Sequence, residues 1–422
     1  MSIPGPSNTL RTILPNGITL LIYENPYTQS VAFNGYLPCG AFLDPKEKTG
    51  LSYLTSNCLH SGTRFRDFDE INDLQERIGA SLSFGSGTHT IGFHGRSLSE
   101  DLPMLLTLLK ESLSDAVFPE QFIEIKRQQF LTGWQMRLHD TESMSGLVFD
   151  ETIYGEHPYA RPIEGTPETI LFITREDILQ FKEDHIGPKG MVLSIAGGIN
   201  AVQTASLAEE LLGGWEKPQK SVDEASFFPE VRFPTVAIRK HHEIPDKMEM
   251  NLIVGTLGPA RNDPDYNAAR IGNSILGEFG MMGRIGNIVR EENGLAYYAG
   301  SQLDSEKMSG TWAAEAGVNI ENTEKALELI RGEFKRFTDS GVTDEELSDV
   351  KSYIQGSRPM SYEGNGKLAF MLKEIEFFGL GLDYCEKLTE RINAVTKEDI
   401  LRVARKWLDP DRLLTVTAGT KP

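Results

Sequence analysis

One short block occurs twice in this chain, and the second copy constrains the fold more than any other feature. Ile173-Thr-Arg-Glu-Asp-Ile-Leu179 returns as Val395-Thr-Lys-Glu-Asp-Ile-Leu401, roughly 220 residues later. Both copies read as helix starts, with Thr as N-cap and acidic residues in the first turn. The same spacing carries Pro188 onto Pro410 and Ala196-Gly197 onto Ala418-Gly419. Between each Pro and Gly lies a strand-like run, Met191–Ala196 in one half and Leu413–Ala418 in the other. Earlier in each half Asp44-Pro45 matches Asp263-Pro264, and Phe122-x-x-Ile125-Lys126 matches Leu347-x-x-Val350-Lys351. The spacing drifts slightly from match to match, as loop insertions would make it. Matches that keep their order point to a duplication.

Each half then has a common plan. Strands come first, at Ile18–Glu24 and Val31–Leu37 and again at Thr235–Lys240 and Met248–Leu257. A helix follows from Thr49 or Pro264, and further strands come after it. Long amphipathic helices are next: Glu100–Ser114, with Leu102, Leu105, Leu108, Leu109 and Leu113 on one stripe, and Thr323–Thr338, with Ala326, Leu327, Leu329, Ile330 and Phe334. Runs of strands separated from runs of helices predict an α+β chain. The expected architecture is two homologous domains, 1–212 and 233–422, each a mostly antiparallel sheet with helices packed on one face. Residues 213–232 show neither periodicity and read as a linker.

Composition narrows the function classes. Of the 422 residues 39% are hydrophobic and 24% charged, an ordinary globular balance. The formal charge of −19 argues against nucleic acid, whose backbone is held by Lys/Arg surfaces. It would suit cationic peptides, although an acidic surface is ordinarily just a solvated face. Cys39, Cys58 and Cys385 are odd in number and unclustered, which suits a reducing compartment and denies a Cys-based zinc site. The opening Met1-Ser-Ile-Pro-Gly-Pro has neither a basic nor an apolar signal region, and no apolar run is long enough for a membrane span. The expectation is a cytoplasmic chain with no membrane or nucleic-acid partner.

In the second half, the segment Gly280–Gly300 places Ile285, Ile288 and Val289 on an apolar stripe and ends the helix at Asn293-Gly294. Leu295-Ala-Tyr-Tyr-Ala then has strand character. Arg290 is thereby expected in the last helical turn, and Tyr297 on the strand beside it, sharing a face with Leu295 and Ala299. A permanently charged fork and a phenolic hydroxyl converging on a carbonyl oxygen would make a partial oxyanion hole. The plainer reading is that Arg290 caps helix carbonyls and Tyr297 is a rim aromatic. Arg284 reads equally as support for this loop or as a structural ion pair, and Met281-Met282 as a flexible turn.

Three stretches together carry a family resemblance. Gly50-Leu-Ser-Tyr53-Leu-Thr-Ser56-Asn57-Cys-Leu-His-Ser-Gly62-Thr63 resembles the zinc helix G-L-[AS]-H-x-x-E-H-x-x-x-x-G-[ST] of the pitrilysin-type peptidases, the inverzincins. His157-Pro-Tyr-Ala-Arg-Pro-Ile-Glu-Gly-Thr-Pro-Glu-Thr-Ile170 is similar to that family's H-P-x-x-x-P-I-x-G-x-x-E-x-I segment, and Gly280–Tyr297 to its G-x-x-S-R-L-x-x-x-[VL]-R-E-x-x-G-L-[AG]-Y signature. The resemblance places the zinc ligands at Tyr53, Asn57 and Gly133 (or a residue beside it) and the general base at Ser56. Tyr and Asn are not usual zinc ligands, Gly has no side chain to offer, and Ser cannot take a proton as a carboxylate does. His60, His89, His94 and the pair His241-His242 read as surface or ordinary core histidines. His89 and His94 would face opposite sides of an extended strand.

The resemblance therefore implies no metal and no cofactor in this chain, and no activity when it is alone. It implies a non-zinc subunit of a two-subunit peptidase, similar to the bacterial heterodimers and more distantly to the mitochondrial processing peptidase. Arg290 and Tyr297 would then hold the peptide carbonyl while a homologous partner with intact H-x-x-E-H carries the zinc. The alternatives are a scaffold or core subunit of a larger complex, or a stand-alone peptide-binding module. Whether the chain alone forms a homodimer is left open by the sequence.

Overall fold

A computed structural model describes residues 3–220 and 222–421, with the side chains of 279–282 outside that description. The signal reading at Met1-Ser2 lies outside the described residues, and Met281-Met282, expected as a flexible turn, lie instead within the helix Phe279–Gly286. The chain forms two compact units. The first takes the residues up to Trp134, Arg161–Phe227 and Pro359–Glu386; the second takes Gln135–Ala160, Phe228–Arg358 and the residues from Lys387 on.

In the first unit β1 (Thr9–Ile13), β2 (Thr19–Glu24), β3 (Ser30–Leu37), β4 (Ser81–Ser86), β5 (Ile91–Leu98) and β6 (Val192–Gly197) form one sheet, ordered β1-β2-β6-β3-β5-β4. Only β2 and β6 run parallel; the other neighbours are antiparallel. One face buries Val31, Phe33, Phe93, Leu193 and Ile195 against Leu105, Leu106 and Leu109 of the helix Leu102–Ser114. Each such side chain taken from water contributes about 1.5–3 kcal/mol.

The second unit repeats the plan. Its strands β7 (Ile238–Glu243), β8 (Glu249–Gly258), β9 (Ala296–Ser305), β10 (Gly310–Asn319) and β11 (Leu414–Gly419) are ordered β7-β11-β8-β10-β9. This is the order β2-β6-β3-β5-β4 of the first sheet, and again the first pair is the parallel one. The duplicated helix starts are real. Thr174 caps Arg175–His185 and Thr396 caps Lys397–Trp407, each with a reciprocal Asp three residues on. The α+β reading stands. The strand expected at Thr235–Lys240 sits later in the chain, because parallel pairing with β11 begins at Ile238 opposite Leu414.

Both β6 and β11 are buried along their whole length, which requires cover on two faces. The second cover is a helix from the opposite half of the sequence. Asn365–Phe377 packs on β3 and β6 of the first unit, where Ser194 Oγ donates to Ala369 O at 2.6 Å. Thr141–Tyr154 packs on β8 and β11 of the second, where Ser145 Oγ donates to Asn251 Oδ1 at 3.0 Å, and Phe149 and Ile153 join Ile253, Leu414 and Val416. Residues 213–227 belong to the first unit. Trp215 is buried there, and Lys217 Nζ donates to the carbonyls of Lys182 (2.7 Å) and Ile186 (3.1 Å).

Candidate functional site

The first candidate is the helix Leu51–Cys58. Its N-cap Gly50 has φ of 95°, and a Cβ there would meet Glu164 O at 2.5 Å, so only glycine fits. The free amides of the first turn are taken by Asp44, a residue the sequence marked only as part of the repeat. Its carboxylate accepts from Gly50 N–H and Ser52 N–H, both at 2.9 Å, and from Ser52 Oγ at 3.2 Å. Burial pushes the Asp44 carboxyl up to about 7, against the downward pull of those bonds.

The positions matched to zinc ligands are turned to other uses. Ser56 Oγ and Asn57 Nδ2 both donate to Tyr53 O, each at 2.9 Å. The Tyr53 ring packs edge-on to Phe130 with centroids 6.2 Å apart, and Phe130 lies 5.8 Å from Trp134. Gly133, on the helix Glu120–Arg137, is exposed, and a Cβ built there would meet nothing within 4 Å. An amide, a hydroxyl and an aromatic platform do not fit zinc. Among the described residues no group of three or more His, Cys, Asp or Glu could hold a metal ion.

The histidines have other surroundings. His60 lies 5.7 Å from the Phe84 ring, and burial lowers its pKa. His89 sits in the turn between β4 and β5, not on a strand, with Nδ1 2.6 Å from Glu224 Oε1. His94, on β5, lies 2.8 Å from Ser83 Oγ, and His241 Nδ1 2.8 Å from Thr417 Oγ1.

The second candidate is the segment around Arg290 and Tyr297. Arg290 lies in a widened π-helical turn, Asn287–Glu291, a geometry that recurs at functional sites. Gly294, with φ of 62°, ends that turn, and its N–H donates to Arg290 O at 2.9 Å. The Arg290 side chain is 38% exposed and its nearest acid is Glu291, at 3.6 Å. Tyr297 departs from the expected face. β9 slips register against β10 here: Ala296 pairs with Val318 and Tyr298 with Gly317, leaving Tyr297 without a partner. A bulge interrupts the alternation, so Leu295 and Ala299 are buried while Tyr297 is 62% exposed. Its hydroxyl donates to Asn319 Oδ1 at 3.3 Å. No hydrogen bond or ring contact joins Arg290 to Tyr297.

Arg284 is structural. Its guanidinium donates to both Glu346 carboxylate oxygens at 2.6 Å and to Gly341 O at 3.1 Å, and reaches the fully buried Glu333 at 3.4 Å. In the same unit, Glu142, Asp150, Asp304 and Glu315 line a cleft of about 290 Å³. Burial, with Asp304 and Glu151 nearby, pushes Asp150 up to about 7.

Comparison with known proteins agrees with this fold. Residues 19–166 match the family described as Insulinase (Peptidase family M16), and residues 173–354 the one described as Peptidase M16 inactive domain. The chain belongs to peptidase family M16, the pitrilysin-type peptidases. An uncharacterized zinc protease of Streptomyces coelicolor is 25% identical over 415 residues, 97% of this chain and 90% of that one. Another, from Rickettsia felis, is 26% identical over 408 residues, 93% of each chain. Among solved structures, a peptidase M16 inactive domain from Pseudomonas fluorescens superposes with a TM-score of 0.91 at 24% identity, covering 98% of both chains. A chain of Complex III2 from Candida albicans superposes at 0.80 with 15% identity, covering 97% of this chain and 95% of that one. Among the described residues no helix is long and apolar enough to cross a membrane.

Proposed function

We propose that this chain is the non-zinc subunit of a two-subunit metallopeptidase and supplies a substrate-binding half-site made by Arg290 and Tyr297. The observation that carries the reading is an asymmetry. Ser56 and Asn57, at the base position and at one ligand position, spend their polar groups on one carbonyl of their own helix, whereas Arg290 is partly and Tyr297 largely exposed, held by long contacts of 3.6 and 3.3 Å. The π turn and the bulge each set one of the two side chains outside regular pairing, where a ligand can reach it.

A homologous partner with intact H-x-x-E-H would supply the zinc and the base that activate water. This chain's part is to bind. Arg290 and Tyr297 would donate to the peptide carbonyl and favour the negative charge that develops on its oxygen. The acidic cleft beside β9 and the overall charge of −19 favour basic peptides as substrates. Three free, buried cysteines are in keeping with a cytoplasmic location.

The test is co-expression with an intact H-x-x-E-H homologue and measurement of peptide turnover. Arg290→Ala and Tyr297→Phe should each lower turnover strongly while the pair still assembles and the partner keeps its zinc. An assembled pair whose turnover ignores both substitutions would make this chain a scaffold instead.

A further inference from the structure

The face of the first unit's sheet that carries the helix Asn365–Phe377 also holds a groove, apart from both candidate segments described above. Its floor is β5 between its two neighbours. Arg96 and His94 are two apart on β5 and project from one face. Arg96 pairs with Ala32 of β3 and Ser81 of β4; His94 pairs with Asn34 and Ser83. One wall is Asn365-Gly366, where Asn34 Nδ2 donates to Gly366 O at 3.2 Å and Asn365 Nδ2 to Ser30 O at 2.9 Å. The opposite wall is the Ile78-Gly79 turn. The groove holds about 820 Å³, the size of a small-ligand site.

Its charge is unusual for this molecule. No Asp or Glu lines it, although the chain as a whole carries −19. Arg11, Arg66, Arg284 and Arg402 each sit on a carboxylate. Arg96, among the described residues, has none, and it is exposed. Arg96 and the small Ala32 opposite it both line the groove. An unpaired guanidinium fork matches a planar carboxylate, which can accept two parallel hydrogen bonds. One cation also balances one negative charge; a phosphate dianion would add surplus charge to an already negative field.

We infer that this groove binds a carboxylate of a peptide, with Arg96 as its bidentate contact and Ser81 beside it. The inference rests on the peptide-handling reading above only for the ligand's being a peptide. The shared chemistry is the carboxylate, which a chain terminus or an acidic side chain can present.

The experiment titrates the isolated full chain calorimetrically with an N-acetylated tetrapeptide acid, its C-terminal amide, an amide containing an internal Glu, and inorganic phosphate. The acid or the Glu-bearing amide should bind, and which of them binds better identifies the source of the carboxylate. The plain amide should not bind. Arg96→Gln should weaken binding by about tenfold to a hundredfold, and Arg96→Lys should fall between that variant and the parent. Unchanged thermal unfolding of both variants would show that the loss is local. Equal binding of the plain amide, unchanged binding by Arg96→Gln, tighter binding of phosphate, or no binding of any peptide would each overturn the assignment. No partner subunit and no turnover enter the measurement, so its failure leaves the two-subunit reading intact, and loss of that reading leaves this binding result standing.

Discussion

The segments at Tyr53–Asn57 and Arg290–Tyr297 occupy two halves built on one strand order, yet they treat their polar groups in opposite ways. In the first, Ser56 and Asn57 converge on the Tyr53 carbonyl, and the Tyr53 ring packs on Phe130. Side chains so engaged have little left to offer a metal or substrate. In the second, a π turn and a bulge hold Arg290 and Tyr297 outside the regular ladder, with weak ties. Irregularities of both kinds recur at functional sites, as the proposed half-site needs. The difference separates side chains engaged with their own helix and its packing from side chains held only by long contacts.

The sharpest way to break the comparison is in the reconstituted pair. Arg290→Ala or Tyr297→Phe should lower turnover by about 10²–10³-fold, the loss typical for one oxyanion donor. Tyr53→Phe should leave turnover unchanged. Equal effects at both places would erase the distinction. Urea unfolding of the isolated chain should invert the ranking. There Arg290→Ala costs no more than about 0.5 kcal/mol, as substitutions at partly exposed positions without close partners do. Arg284→Met should cost about 2–4 kcal/mol, because Glu333 is fully buried and would keep only Arg336 as a partner.

Tyr53→Ala comes next, at about 2 kcal/mol, since the ring is half-buried and loses its edge contact with Phe130. The dialysed chain should also carry no stoichiometric zinc by metal analysis, because the residues at Tyr53, Ser56, Asn57 and Gly133 cannot ligate it. A full equivalent of zinc, lost on His60→Ala or His94→Ala, would reverse the reading of this helix as a packing element.

Much of the fold was legible in the chain itself. The repeated Thr-x-x-Asp helix starts and the strand runs after Pro188 and Pro410 report local chemistry, and local chemistry is what periodicity can record. The cover on the second face of each sheet was not read. The signal was present in β6 and β11, whose apolar and small residues do not alternate, but periodicity cannot say which distant helix lies on top. At the site, the αL stop at Gly294 followed from Asn293-Gly294, while the bulge at Tyr297 did not. A slip of register is decided by the partner strand β10, and nothing in Ala296-Tyr-Tyr-Ala299 reveals it. Asp44 was visible only as half of a repeated Asp-Pro pair. Its capping role depends on the chain returning at Gly50.

The helix that follows each copy of that pair supplies the smallest and most specific contrast. Asp44 caps its helix by accepting from the Gly50 and Ser52 amides and the Ser52 hydroxyl, and burial lifts its carboxyl to about 7. In the second half the corresponding helix begins beside Asp265. Burial would raise that carboxyl too, but bonds from Lys406, Arg402 and Trp407 outweigh it and hold it down at about 2. The two should titrate stability in opposite directions. An unfolded Asp loses its proton near 4. Folded Asp44 keeps its proton to about 7, so between those values the folded state binds more protons and stability falls as pH rises. The slope can reach about 1.4 kcal/mol per pH unit for one group. Folded Asp265 gives up its proton below the unfolded value, so its contribution is full above about 4 and is lost as pH falls through about 2. Asp150, lifted to about 7 by burial, adds to the first trend, so the reading is the difference between parent and variant. Urea unfolding from pH 4 to 8 should show Asp44→Asn flattening the decline with rising pH, while Asp265→Asn leaves that slope alone and lowers stability throughout. Parallel curves for Asp44→Asn and the parent would mean that its hydrogen bonds, not its burial, set the Asp44 charge.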